Sequence, residues 1–187
     1  MSYTLQKPYT QIQKADFIVL HNHQNGRKIE ETPEALYALE VDEIMQDGEP
    51  VQNPNYAQEQ LAAVKEAKLQ EINTAKEQAF KAGFYFNEKH FDCDDRAQTR
   101  LSAQFAIAKP DTDIIWLDYD YSPVTFTYDQ FVQLCNTATN IVSAIEFLTG
   151  QYMNSVESAA STEDVNNITP NYTSDAINTF LLQNDNE

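Results

Sequence analysis

Basic residues are scarce in this 187-residue sequence: twelve Lys and Arg stand against 29 Asp and Glu, a net charge of −17. Such a chain repels a phosphate backbone instead of releasing counterions from it, which argues against unaided nucleic-acid binding. Past Lys109 there is no Lys or Arg at all, so residues 1–109 sum to −5 and residues 110–187 to −12. A segment that cannot neutralise itself either presents a solvated acidic face or packs against something that brings positive charge or apolar surface. Cysteine is nearly absent too. Cys93 and Cys135 are too few for a disulfide framework and lack the paired spacing of a zinc site, so both are expected to be reduced and mostly buried. No stretch approaches the roughly eighteen apolar residues of a membrane span, and MSYTLQKPYTQ has neither the cationic start nor the apolar run of a signal peptide. The expectation is a soluble chain made in the cytoplasm. A phosphate-cradling glycine loop, a nucleophile elbow and an HExxH pair are all missing from the sequence.

What is present allows a modest core, since just under a quarter of the residues are Leu, Ile, Val or Phe. Four glycines punctuate the chain. Gly26 follows the run Ala15–Asn25, where Phe17, Ile18, Leu20 and His21 recur at helical spacing, and reads as a residue just past a helix end. Thr32-Pro33-Glu34 reads as an N-cap, a first-turn proline and an acidic first turn, predicting a short helix through Leu36 and Leu39. Asp47-Gly48, between Ile44-Met45 and Pro50-Val51, predicts a hairpin. Residues 1–55 are thus expected to form a small mixed α/β module.

Residues 56–82 are rich in Ala, Glu, Gln and Lys and predict one long helix that Gly83 stops. Its narrow stripe of Leu61, Val64, Ile72, Ala75 and Ala79 either lies on its own domain or forms a seam with other copies of the chain. In the second case Leu61, Val64 and Ile72 are the self-association residues of a homo-oligomer. Next come an aromatic hairpin, Phe84-Tyr85-Phe86 with His90-Phe91, and a helix capped by Asp92 that carries Ala97, Leu101, Phe105 and Ala108 up to Pro110. A second strand pair, Ile114–Leu117 with Val124–Phe126, leads into a capping box of Thr127 and Gln130, with Phe126 stapled to Phe131. The helix it opens has the clearest period in the chain: Phe131, Leu134, Cys135, Ala138, Ile141, Val142, Ile145 and Leu148. The expected class is α+β, with residues 83–150 a ββαββα unit whose helices cover one sheet face. Residues 151–187 read as a polar acidic tail ending in a short helix, Ser174 its N-cap and Ile177, Phe180 and Leu181 on one face. That face either folds back on its own domain or fills a groove on a partner.

Three constellations invite a chemical reading. His21 and His23 are two apart, so a helix turns them to different faces and they cannot chelate one metal without a third ligand. Asp92, Asp94 and Asp95 lack the glycine and the distal glutamate of a calcium loop and read as a helix start. Asp118 and Asp120 share one side of a strand, as a paired-carboxylate site would, with no His or Arg beside them in sequence to set their protonation. No catalytic, cofactor or metal residue is assigned, and the chain is read as a non-enzyme.

Taken together, KEAKLQEINTAKEQAF, GFYFNEKHFDCDDRAQTRL, the lone Trp116 and VTFTYDQFVQL resemble an uncharacterised domain found in tail-fibre and tail-fibre-assembly proteins of tailed bacteriophages and prophages. The likeness covers about residues 65–150. The stretch DFIVLHNHQNGRKIEETPEALYALEVDEIMQDGEPVQNP is similar to the small leading module of such tail proteins, and residues 151–187 fall outside. The resemblance carries no catalytic residues. What it implies is a setting: a structural tail component in the virion, with fibre or baseplate subunits as partners, or alternatively a fibre-assembly chaperone that leaves before the virion is complete. An acidic DNA mimic would suit the net charge, but Asn/Ser/Thr stretches dilute the acid it needs along one face.

Overall fold

The structure, a computed structural model, describes residues 2–22 and 27–184. Two compact units make up the chain, residues 1–60 and 61–187. Gly26 and His23 lie outside the described residues.

The first unit runs β1 (Tyr3–Gln6), α1 (Gln11–Asn22), β2 (Lys28–Glu31), β3 (Ala35–Leu39), β4 (Glu43–Gln46) and β5 (Glu49–Gln52). Helix α1 starts ahead of the predicted Ala15 because Thr10 and Gln13 form a reciprocal cap: Gln13 N–H donates to Thr10 Oγ1 at 3.2 Å and Thr10 N–H to Gln13 Oε1 at 2.8 Å. Strand β3 is the centre of an antiparallel sheet ordered β1-β3-β2, and all five of its residues are buried. By register Tyr3, Leu5 and Ile29 stand beside Leu36 and Ala38, and Tyr3 stacks at 4.3 Å on His21 of α1, which places α1 over that face. The other face, Ala35, Tyr37 and Leu39, packs on Met45 of β4.

This strand replaces the helix expected after Thr32-Pro33-Glu34. Thr32 Oγ1 does accept from the N–H groups of Glu34 and Ala35, at 3.2 Å each, as an N-cap would. Yet Thr32 N–H also donates to the Ala35 carbonyl at 2.8 Å, which turns the chain back along β2. The sequence ALYAL has no polar position for a solvent-facing helix side and suits a strand covered on both faces. Hairpin β4–β5 forms as expected, with Asp47 and Gly48 both at positive φ, 52° and 86°.

The second unit contains most of α2 (Tyr56–Ala82), then β6 (Phe84–Phe86), β7 (Lys89–Phe91), α3 (Asp95–Ile107), β8 (Ile114–Leu117), β9 (Pro123–Phe126), α4 (Tyr128–Ser158), α5 (Thr162–Asn166) and α6 (Ser174–Asn184). The class is α+β and the ββαββα order holds. However, β6–β7 and β8–β9 are two separate two-stranded sheets, so no single sheet face exists for the helices to cover. A lone hairpin is marginal in water. What holds these two is one cluster containing Phe84, Phe91, Leu101, Ile114, Phe126, Phe131, Leu134 and Ala138. Phe126 is central, with ring centroids 5.9 Å from Phe91 and 6.4 Å from Phe131.

The cap of α3 is Asp94, not Asp92: its Oδ1 accepts from Ala97 N–H at 2.7 Å, while Asp92 lies 3.7 Å from Arg100. The Thr127–Gln130 box is present on both sides, at 3.3 and 3.0 Å. Helix α4 then passes through Gly150, where a boundary was expected, and continues to Ser158. Glycine in a helix interior costs about 1 kcal/mol. Tertiary burial offsets it, because Tyr152, Met153 and Val156 close a second cluster with Leu61, Val64 and Ile72 of α2 and with Val165 and Ile168. The helices α2 and α4 run antiparallel: Lys65 Nζ donates to the Glu157 carbonyl at 2.8 Å, and eleven residues later Lys76 faces Glu146 at 3.5 Å. Among the described residues no helix is long and apolar enough to cross a membrane.

Candidate functional site

The residues singled out for chemistry are placed in structural roles. His21 is buried between Tyr3 and Phe17, with no hydrogen-bond partner at Nδ1 among the described residues. Asp118 is buried and accepts from the N–H groups of Asp120 (3.1 Å) and Ser122 (2.8 Å), so it closes the turn between β8 and β9. Asp120 stays exposed at the tip, whereas the Asp118 carboxylate is taken up by backbone N–H groups. Both cysteines are free, and burial pushes their thiols up to about 11, which leaves neither a thiolate nucleophile near neutral pH. Among the described residues no group of three His, Cys, Asp or Glu is placed to hold a metal.

The two apolar stripes proposed for association are both used inside the chain. Ile72 is fully buried, and Leu61 and Val64 pack beside it against α4 and the segment after it, so they form no free seam for a second copy. Ile177 is buried on Ala144 and Ile145 of α4, with Phe180 and Leu181 packed alongside, so the tail helix folds back and does not await a partner. Its cap is Thr173, one residue before the expected Ser174, accepting from Ala176 N–H at 3.4 Å. The turn before α6 is also tied down. Thr149 Oγ1 and Tyr172 Oη are 2.8 Å apart, and Tyr152 Oη bonds both the N–H and the carbonyl of Asn171, at 3.1 and 3.3 Å.

An open apolar surface does exist, on the hairpins. At its root the last carbonyls of α2 need donors, and two aromatic side chains supply them. His90 Nε2 donates to Ala82 at 2.6 Å and Tyr119 Oη to Lys81 at 3.3 Å. The His90 ring lies between those of Tyr85 and Tyr119, with centroids 4.7 and 4.1 Å away and planes within 15°. Tyr119 N–H donates to the His90 carbonyl at 2.8 Å, which joins the second hairpin to the first. Gly83 permits this arrangement: its φ is +67°, and a Cβ there would meet the Phe91 carbonyl oxygen at 2.2 Å and His90 Nε2 at 2.8 Å.

From this root the exposed side chains continue along β8. Ile114 and Trp116 turn toward the aromatic core, and Ile115 (67% exposed) and Leu117 (42%) turn away from it. Tyr119 (40%) and Tyr121 (74%) are exposed in the turn that follows, Tyr121 at a positive φ of 60°, and Pro123 and Thr125, which pair with Leu117 and Ile115, are exposed beside those two. Carboxylates frame the strip. Asp120 sits at the tip, and Asp111, Asp113 and Asp129 line a hollow of about 420 Å³ at the base, beside the start of α4. A second hollow, about 310 Å³ between α3 and α4, is lined by Leu101, Phe105, Ala138 and Val142 with small polar residues and carries no charge. The sequence signal for the strip is the unbroken run Ile114-Ile115-Trp116-Leu117: a two-stranded sheet covered on one side leaves half of such a run uncovered.

No curated protein and no solved structure matches the chain. Residues 63–170 match a family described as a domain of unknown function, DUF4376, from the second turn of α2 through α5 and ending before α6. With more than half of its length matched, the chain belongs to the DUF4376 family.

Proposed function

We propose that this protein is a non-enzymatic component of a bacteriophage tail, in the fibre or baseplate region, that works through protein–protein contacts. The observation that carries the binding role is the hairpin β8–β9, where Ile115 and Leu117 stand exposed on the outer face and Tyr119 and Tyr121 are exposed in the turn between the strands. Scattered surface apolar residues are ordinary, whereas several gathered on one hairpin are what a docking surface looks like. The tail setting is supported by the resemblance of residues 65–150 to the domain of tail-fibre and tail-fibre-assembly proteins.

The test is a protein inventory of purified particles beside the lysate they came from. Stoichiometric presence in particles is the expected result. Presence in the lysate alone would turn the reading to the fibre-assembly chaperone, and lack of association with any tail protein in either fraction would overturn both.

A further inference from the structure

We infer that the outer face of β8–β9 receives an extended segment of a partner protein in which apolar side chains alternate with Lys or Arg. This rests on the protein-binding reading and specifies its partner. Three features point to that chemistry. Ile115 and Leu117 are exposed at alternate positions of β8, which on a strand lie about 7 Å apart, the repeat of another extended chain, and the exposed Tyr119 and Tyr121 stand in the turn that follows. Carboxylates stand at both ends of the strip, Asp120 at one and Asp111, Asp113 and Asp129 at the other. Finally, residues 110–187 contain no Lys or Arg, and Lys109, which opens the same loop, forms no ion pair with these carboxylates among the described residues. Arg100, from α3, lies instead over the Trp116 ring at 5.6 Å and beside Asp92. A second copy of this chain would bring the same negative charge to the face and be repelled; a basic segment would be steered onto it.

The experiment titrates the full chain, isotope-labelled for amide NMR, with three synthetic peptides of about ten residues: alternating Leu/Lys, alternating Leu/Glu and alternating Ser/Lys. The Leu/Lys peptide is expected to shift the amides of residues 114–126 and Tyr85, with affinity that falls as salt rises. The other two should bind at least about tenfold more weakly. Ile115→Ser combined with Leu117→Ser should cost the Leu/Lys peptide a further tenfold or so, and Asp111→Asn, Asp113→Asn, Asp120→Asn and Asp129→Asn together should remove most of its salt dependence. All six positions are exposed, and unchanged Trp116 emission checks that the variants fold. Equal binding of Leu/Glu, equal binding of Ser/Lys, or shifts spread over other acidic surfaces would each overturn the inference. Such a failure, with the protein still present in particles, removes the basic partner and leaves the tail role; absence from all tail assemblies removes the role itself.

Discussion

Each of the two units is held together internally by a different balance of forces. In residues 1–60 the sheet and helix are tied by ion pairs near the surface: Glu31 of β2 receives Lys14 at 2.5 Å, Tyr9 at 2.6 Å and Lys7 at 3.1 Å. Arg27 reaches Glu40 at 2.6 Å and lies 4.5 Å over the Tyr3 ring. In residues 61–187 the elements are joined mainly by three apolar clusters, with neutral hydrogen bonds such as Thr149 to Tyr172, and the charged links between α2 and α4, from Lys65 and Lys76, lie at the surface. Composition accounts for the contrast, because the stretch after Lys109 has no Lys or Arg of its own and its parts are secured to one another through apolar surface and uncharged donors. Packing should therefore break the second unit and acid the first.

Phe131→Ala is expected to have the largest effect. Phe131 is fully buried, touches Phe126, and has its ring 5.7 Å from Trp116. Losing it should cost about 3–5 kcal/mol, the usual range for an aromatic removed from a core. The only tryptophan in the chain reports this directly, so denaturant unfolding followed by Trp116 emission should shift to a lower midpoint while amide exchange in residues 27–46 is unchanged. A parallel loss in both units would show that their stabilities are coupled.

Acid reverses the comparison. The hydrogen bond from Lys14, aided by Tyr9 and Lys7, holds the Glu31 carboxyl at about 2, and Arg27 does the same for Glu40, against an ordinary 4.5. A depressed carboxyl contributes stability that is complete above about pH 4.5 and is lost as pH falls from there through 2. Amide protection in β2 and β3 should decline over that window, and Glu31→Gln should flatten the decline. The alkaline side has a counterpart: partial desolvation and the bond to Glu31 push Tyr9 up to about 12, so its contribution holds below pH 10 and is lost as pH rises through 12. Both groups lie near the surface, so water and salt screen them, and the effect should be smaller than that of Phe131→Ala.

The same contrast explains what could be read from the sequence. Local signals were legible wherever one element settles its own structure: the bounds of α2, the stop at Gly83, the hairpin at Asp47-Gly48, and the Thr127–Gln130 box with its Phe126–Phe131 staple. Readings that depended on distant neighbours failed. Ala35–Leu39 looked helical because Thr32-Pro33-Glu34 carries the signals of a helix start, and only the flanking strands and Met45 decide for a central strand. Gly150 looked like a stop because nothing local shows that Val156 meets Ile72. The exposed face of β8 was hidden for the same reason, since a strand covered on one side cannot be told from one covered on both until the sheet is known to have two strands.

Thr127→Ala sharpens the comparison within the second unit by removing a polar contact without touching the core. Thr127 caps α4, the helix on which all three clusters of this unit rest. The expected loss is about 1 kcal/mol, seen as a small shift in the Trp116 unfolding midpoint, and Thr127→Ser should restore most of it. A loss as large as that of Phe131→Ala would mean that capping, not packing, limits the stability of this unit.

The smallest effect is expected from Tyr172→Phe, which asks how an Asn/Ser/Thr-rich tail stays in place at all. The substitution deletes one hydroxyl, 2.8 Å from Thr149 Oγ1. Thr149 keeps its bond to the Ile145 carbonyl at 2.7 Å, so no buried donor is left without an acceptor. The net cost should be no more than about 1 kcal/mol. It should also be local, because Ile177, Phe180 and Leu181 still pack on α4 and only the hold of the preceding turn on α6 is weakened. Amide exchange in residues 174–182 should speed up by about fivefold, the factor that 1 kcal/mol represents, while Trp116 unfolding stays where it was. Unchanged exchange would assign the hold on α6 to its apolar face alone, and Ile177→Ala would then be expected to release the helix where Tyr172→Phe does not.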